Sequence, residues 1–248
     1  MASTTETGHA KNVANFEAVT ISVTGFGATY NPSRDALKPR ELQTLLTTAK
    51  TSLNVVNEAE SAYSNAVSAR EFAFKPLSPL VTRVNNALKA TDTTTQVDES
   101  AKTIVRKLQG ARASAKLTEE DKKALAAEGK EVTQISASQM SYDSRLDNLD
   151  KFISLLSSIP QYMPNEKELT IISLSTYLDN LRTMNTDVLK SDNQLSNARI
   201  SRNVILYKPL TGLVDIAADT KTYIKSIFGP SSPQFKQVSK LNFITPKQ

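Results

Sequence analysis

Residues 39–77 read PRELQTLLTTAKTSLNVVNEAESAYSNAVSAREFAFKPL. Leu42, Leu46, Ala49, Leu53, Val56, Glu60, Tyr63, Val67, Arg70 and Phe74 recur in it at intervals alternating between four and three. That spacing places them on one side of an α-helix, as a heptad-like stripe. A helix of about 35 to 40 residues is roughly 50 to 60 Å long at its usual rise. Lys75-Pro76 follows, and a proline there removes a helical hydrogen bond, so the helix is expected to kink or end at Pro76.

The stretch occurs twice. Ser64-Asn65-Ala66, Arg70 and Lys75-Pro76-Leu77 return as Ser196-Asn197-Ala198, Arg202 and Lys208-Pro209-Leu210. The second stripe runs Leu174, Leu178, Leu181, Asn185, Val188, Asp192, Leu195, Arg199, Arg202 and Leu206, and is expected to kink or end at Pro209. Upstream, Tyr30-Asn31-Pro32 matches Tyr162-Met163-Pro164, and proline pushes the residue before it out of the α region, so both sites read as turns.

Working outward, Val13, Phe16, Val23 and Phe26 have helical spacing, yet Val19-Thr20-Ile21-Ser22-Val23-Thr24 alternates like a strand. The counterpart around Asn148-Leu149, Phe152-Ile153 and Leu155-Leu156 has no such alternation, so both segments are expected to be helices. Behind the two prolines lie apolar runs, Leu77, Leu80, Val81, Val84, Leu88 and Leu210, Leu213, Val214, Ala217. Short amphipathic helices are expected through Ile104, Val105, Leu108 and through Phe235, Val238, Leu241. Ala90 to Gln96 is polar and reads as a loop. Thr118-Glu119-Glu120-Asp121 resembles a capping box, and a further helix is expected from about Lys130 through Met140 to Leu149.

The expected architecture is all-α: an elongated helical bundle from a tandem duplication, with pseudo-twofold related, antiparallel long helices. Residues 1–8 form a disordered tail, 9–115 a first repeat, 116–140 a helical connector and 141–248 a second repeat, within one compact body.

Composition narrows the chemistry. There is no cysteine, hence no disulfide, thiolate metal site or cysteine nucleophile. The net charge of +5 is spread over both halves. A local surplus begins at Ser201, where Lys and Arg are opposed only by Asp215 and Asp219, and it would favour an anionic partner. The opening residues lack the basic and apolar regions of a signal peptide, and no apolar run approaches a membrane span, so the expectation is a cytoplasmic, soluble chain.

Glu6 and His9 have the Glu-x-x-His spacing of a di-iron helix, but such centres need two of these motifs and the chain has one histidine. His9 is therefore expected to be solvent-exposed near a frayed end. No Gly-rich phosphate loop occurs, a hydrolase triad is poorly supported, and nucleic-acid binding would need a concentrated basic face. No cofactor is expected.

Four charged seam residues stand out. Were the long helices to cross antiparallel near Asn65, Glu60 would meet Arg202 and Arg70 would meet Asp192. Two reciprocal inter-repeat pairs would then set register more than stability. Lys75 and Lys208, each before its proline, are weaker candidates for ligand or partner contacts. The leading expectation for function is a non-catalytic interaction or scaffolding protein that binds a protein partner. A membrane-active bundle, pore-forming or accessory, is the first alternative, and an enzyme with a polar pocket between the repeats is the second.

Overall fold

The computed structural model describes residues 8–111 and 140–245, and among these every regular element is a helix. The elements are α1 (His9–Gly25), α2 (Pro39–Phe74), α3 (Leu77–Lys89), α4 (Thr95–Gln109), α5 (Tyr142–Ser157), α6 (Ile171–Tyr207), α7 (Leu213–Phe228) and α8 (Pro233–Ser239). The expected tail, the capping box at Thr118 and nearly all of the connector lie outside the described residues.

The strand-like stretch of α1 is helical for a visible reason. Val19 and Val23 are buried with Phe16, whereas Ile21 is 66% exposed; a strand would have put Val19, Ile21 and Val23 on one face. Thr20, Ser22 and Thr24 donate their hydroxyls to the carbonyls of Phe16, Ala18 and Thr20, one turn back. The polar atoms are thus satisfied inside the helix and leave the apolar stripe to decide its form.

The chain divides into two compact units, residues 1–64 with 191–248, and residues 65–190. Each draws on both expected repeats, because each long helix contributes one part to one unit and the remainder to the other.

The first unit holds α1, α2 up to Ser64, α6 from Ser191, α7 and α8. Its core joins Phe16, Leu42, Leu46, Leu206, Leu213 and Ile224. Two asparagines of α1 are buried in it, and both hold the C-terminal segment. Asn12 donates to the Ile244 carbonyl at 2.8 Å and accepts from the Ile244 amide at 3.1 Å, while Asn15 donates to the Asn242 carbonyl at 2.6 Å. Backbone groups outside a helix need partners of their own, and these buried side chains supply them. At the start of α8, Ser232 accepts from the Phe235 amide, with Pro233 in the first turn.

The second unit packs Phe74, Leu77, Leu88, Leu108, Leu149, Phe152, Leu174 and Leu181 from the end of α2 and from α3, α4, α5 and α6. In it α2 and α6 pass in opposite senses: Tyr177 donates to the Ala73 carbonyl, while Arg70 reaches Asn185 farther along α6. The helix expected from Lys130 does not extend through Met140. Ser141 caps α5 by accepting from the Ser144 amide, so the helix begins at Tyr142, and the expected residues before Met140 lie outside the described set. Met140 instead lies against Gly110, where a Cβ would come within 2.7 Å of its sulfur and where φ is +67°.

The two turns before the long helices are built alike. Tyr30 donates its hydroxyl to the Leu37 carbonyl at 2.9 Å, and Tyr162 donates to the Leu169 carbonyl at 2.8 Å. A single 3-10 turn, Asp35–Leu37 or Lys167–Leu169, then leads into α2 or α6.

The proline breaks are less alike. Pro76 sits directly at the start of α3, and Leu77 is buried. After α6, Leu210 takes φ +66° and is 73% exposed, so it does not belong to the apolar run expected there. The Gly212 amide donates to the Lys208 carbonyl at 2.7 Å, an approach that leaves no room for a Cβ. The chain closes a tight turn at this point, and α7 starts only at Leu213.

Candidate functional site

Stripe positions that are charged or amide-bearing end up in contrasting surroundings. Asn185 is buried, Arg70 and Arg202 are half-buried, and Glu60, Asp192 and Arg199 are exposed. In the first unit Val56 and Ala59 of α2 pack with Leu195 and Ala198 of α6. That apolar contact puts Arg199, the residue after Ala198, beside Glu60, and the two make an ion pair at 3.5 Å. The carboxylate expected to meet Arg202 thus takes its partner one turn earlier on the same helix.

Arg202 donates to its neighbour Asn203 at 2.9 and 3.2 Å. It also lines a cleft of about 310 Å³ with Glu60, Arg199, Asn57 and the first turn of α1, where His9 and Lys11 stand. His9 is not the free surface group expected of it. Its Nδ1 lies 2.7 Å from the Tyr207 hydroxyl, which Asn12 also reaches at 3.3 Å. Burial, and secondarily the charge of Arg202, hold the imidazole below its usual pKa, and burial pushes the Tyr207 phenol up. Burial also lowers the pKa of Arg202 itself.

Among the described residues of the lining, three cationic side chains face one carboxylate, and the imidazole is occupied by a phenol that gives up its proton reluctantly. No side chain in the lining pairs a nucleophile with a free base.

Arg70 has its partners inside the second unit. It donates to Asn185 Oδ1 at 3.1 Å and lies 3.9 Å from the centre of the Tyr142 ring. Asn185 in turn donates to Asp143 at 2.8 Å, so the amide relays the guanidinium to a carboxylate on α5. The buried Arg70 Nε has no hydrogen-bond acceptor, and the ring face is what the cation has instead. Arg145 repeats the device over Phe74, at 5.1 Å, and donates to the Phe74 carbonyl. Asp192, the partner expected for Arg70, is exposed in the first unit. Lys75 and Lys208 are exposed at the ends of their helices.

Sequence reasoning passed over Arg199, Asn185 and Tyr142. The first two were on the stripe, at its edge and at its one amide, but Tyr142 precedes the apolar pattern of α5 and carried no signal. Among the described residues no three His, Asp or Glu side chains converge as a metal site, and no helix is long and apolar enough to cross a membrane. No family model matches the chain, and no curated protein or solved structure matches it either.

Proposed function

We propose that this is a non-catalytic helical interaction protein, built from a tandem duplication whose two long helices are pseudo-twofold related, and that it receives an amphipathic helix of a protein partner. One observation carries the reading: an uncharged surface groove in the first unit between α2 and α6. It has a volume of about 340 Å³ and is lined by Thr47, Thr48, Thr51, Val55, Ala198 and Ile205, among others. Thr47 and Thr48 donate their hydroxyls to backbone carbonyls of their own helix, as does Ser52. Their donors are therefore spent inward, and an apolar stripe meets no unsatisfied donor from them. Beside the groove Ile200 and Val204 of α6 are 58 and 52% exposed. Two flanking helices with an apolar trough between them are the receiving half of helix-in-groove recognition.

The duplication is supported by the twin tyrosine turns and by the repeated order of helix, proline turn, long helix, proline break and shorter helices. The test places a photo-crosslinking residue at Thr51, with Glu58 on an exposed side of α2 as control, in the cell that makes the protein. A defined partner captured at Thr51 only, and bound at least tenfold more weakly in purified form by Val55→Lys, supports the proposal. Equal capture at both sites overturns it. Co-sedimentation with anionic liposomes at moderate salt, unaffected by Val55→Lys, would favour the membrane reading instead.

A further inference from the structure

The first unit contains a second cleft, whose charge and lining differ from those of the groove between α2 and α6. It encloses about 480 Å³ between α7, α8 and the C-terminal segment, and its walls include Val214, Lys221, Lys225, Phe235, Leu241 and Phe243. Lys221 and Lys225, one turn apart on α7, are the only charged side chains among the described residues of the lining. Their counter-charges on the same helix are committed elsewhere: Asp215 accepts from the Leu210 amide, and Asp219 pairs with Arg34. Each ammonium lies 5.9 Å from a ring, Lys221 over Phe243 and Lys225 over Phe235. The cations therefore stand beside aromatic rings, in a lining that Val214 and Leu241 make aliphatic and Thr222, Ser239 and Asn242 make polar.

Lys221 is held in place. Its Nζ donates to the Leu241 carbonyl at 2.9 Å and to the Ser239 carbonyl at 3.3 Å, which leaves one N–H of the ammonium uncommitted. Burial disfavours its charged form and lowers its pKa, so an anion alongside would be met by a poorly hydrated cation. Lys225 is exposed, and among the described residues of the lining there is no carboxylate to pair with it.

We infer that this cleft binds a small amphipathic carboxylate, its anionic head between Lys221 and Lys225 and its apolar body against Phe235, Leu241 and Phe243. The volume falls within the range of small-molecule sites, about 300 to 1,000 Å³. Aromatic and aliphatic side chains with two convergent cations favour a single-headed anion over a neutral or cationic molecule of the same length. Two of the Lys and Arg residues that make up the basic surplus after Ser201, Lys221 and Lys225, thereby line one cleft.

The test titrates the full chain calorimetrically with decanoate below its micelle-forming concentration, beside decanol and decyltrimethylammonium. Saturable binding of one decanoate is expected, weakening as salt is raised, with neither control binding comparably. Lys225→Met should weaken decanoate at least fivefold, and Phe243→Ala should do the same. Lys221→Met also frees two backbone carbonyls and can disturb the C-terminal segment, so Lys225→Met, which removes no backbone contact, is the deciding variant. Absence of saturable binding, comparable binding of either control, or a change under fivefold in Lys225→Met overturns the inference. Because the titration needs no protein partner and the cleft shares no lining residue with the α2/α6 groove, its failure leaves the proposed function standing, and the reverse holds.

Discussion

Tyr30 and Tyr162 each close a turn by donating a hydroxyl to a carbonyl seven residues ahead, from a nearly inaccessible position. Replacing either by Phe keeps the ring and strands a buried carbonyl, which costs about 1 to 3 kcal/mol. Urea denaturation of Tyr30→Phe and Tyr162→Phe should show losses of that size at unchanged slope. A loss below about 0.5 kcal/mol would mean that water replaces the bond. His9 offers a cleaner reading, since the chain has one histidine and hence one imidazole resonance. Its pKa is depressed by burial first and by Arg202 second. The neutral ring is therefore favoured in the fold, and its contribution is complete above the unfolded pKa of about 6.5 and is lost as pH falls through the lower folded value. NMR titration should place the midpoint below that of an unfolded histidine, and Arg202→Met should move it back only part of the way. An unshifted midpoint in the parent chain would contradict the buried contact with Tyr207.

At the scale of the element, helix starts separate into capped and uncapped kinds. Ser141 accepts from the Ser144 amide at the start of α5, whereas Thr94 makes no side-chain bond at the start of α4. Ser141→Ala should thus cost ~1 kcal/mol and Thr94→Ala distinctly less, as thermal or urea melts would report. The same contrast shows what was legible beforehand. Apolar spacing was sufficient for α2 and α6, since long stripes with prolines at their ends leave little choice, whereas α1 needed its counterpart around Asn148 to decide against a strand. Spacing failed at Met140 and Leu210, where an apolar residue borders a helix without joining it. Past Met140 the Ser141 cap starts the helix only at Tyr142, and at Leu210 a positive φ and the close approach at Gly212 close a turn. Hydrophobicity marks both residues, but the decisive contacts belong to Ser141 and Gly212. Register was hidden for a related reason. Arg199 and Arg202 lie one turn apart on α6, and only the packing of Val56 and Ala59 against Leu195 and Ala198 decides that Glu60 meets the former.

Over the whole molecule, the division into compact units was out of reach of a reading made along the chain. The two expected repeats looked self-contained because their elements follow one another in the same order. A stripe shows which side of a long helix is buried, but not which segment covers each part of it. Two buried tyrosines, Tyr30 and Tyr162, and the half-buried Tyr177 give the units a common readout. Tyr30 in the first unit, and Tyr162 and Tyr177 in the second, are pushed up to about 12 by burial. An unfolded tyrosine ionises near 10. Below that pH both states keep the proton, and the three residues contribute no pH dependence. Between about 10 and 12 the unfolded chain has released protons that the folded chain still holds, so stability falls as pH rises through this window. The chain contains no tryptophan, and tyrosinate absorbance near 295 nm can be followed without interference. These three phenols should ionise only as the helical circular dichroism is lost, in a step steeper than a free tyrosine titration. In Tyr30→Phe and Tyr162→Phe the absorbance step should shrink. If every tyrosine titrates near 10 while the helix signal stays intact, the burial of these rings in the two cores is wrong.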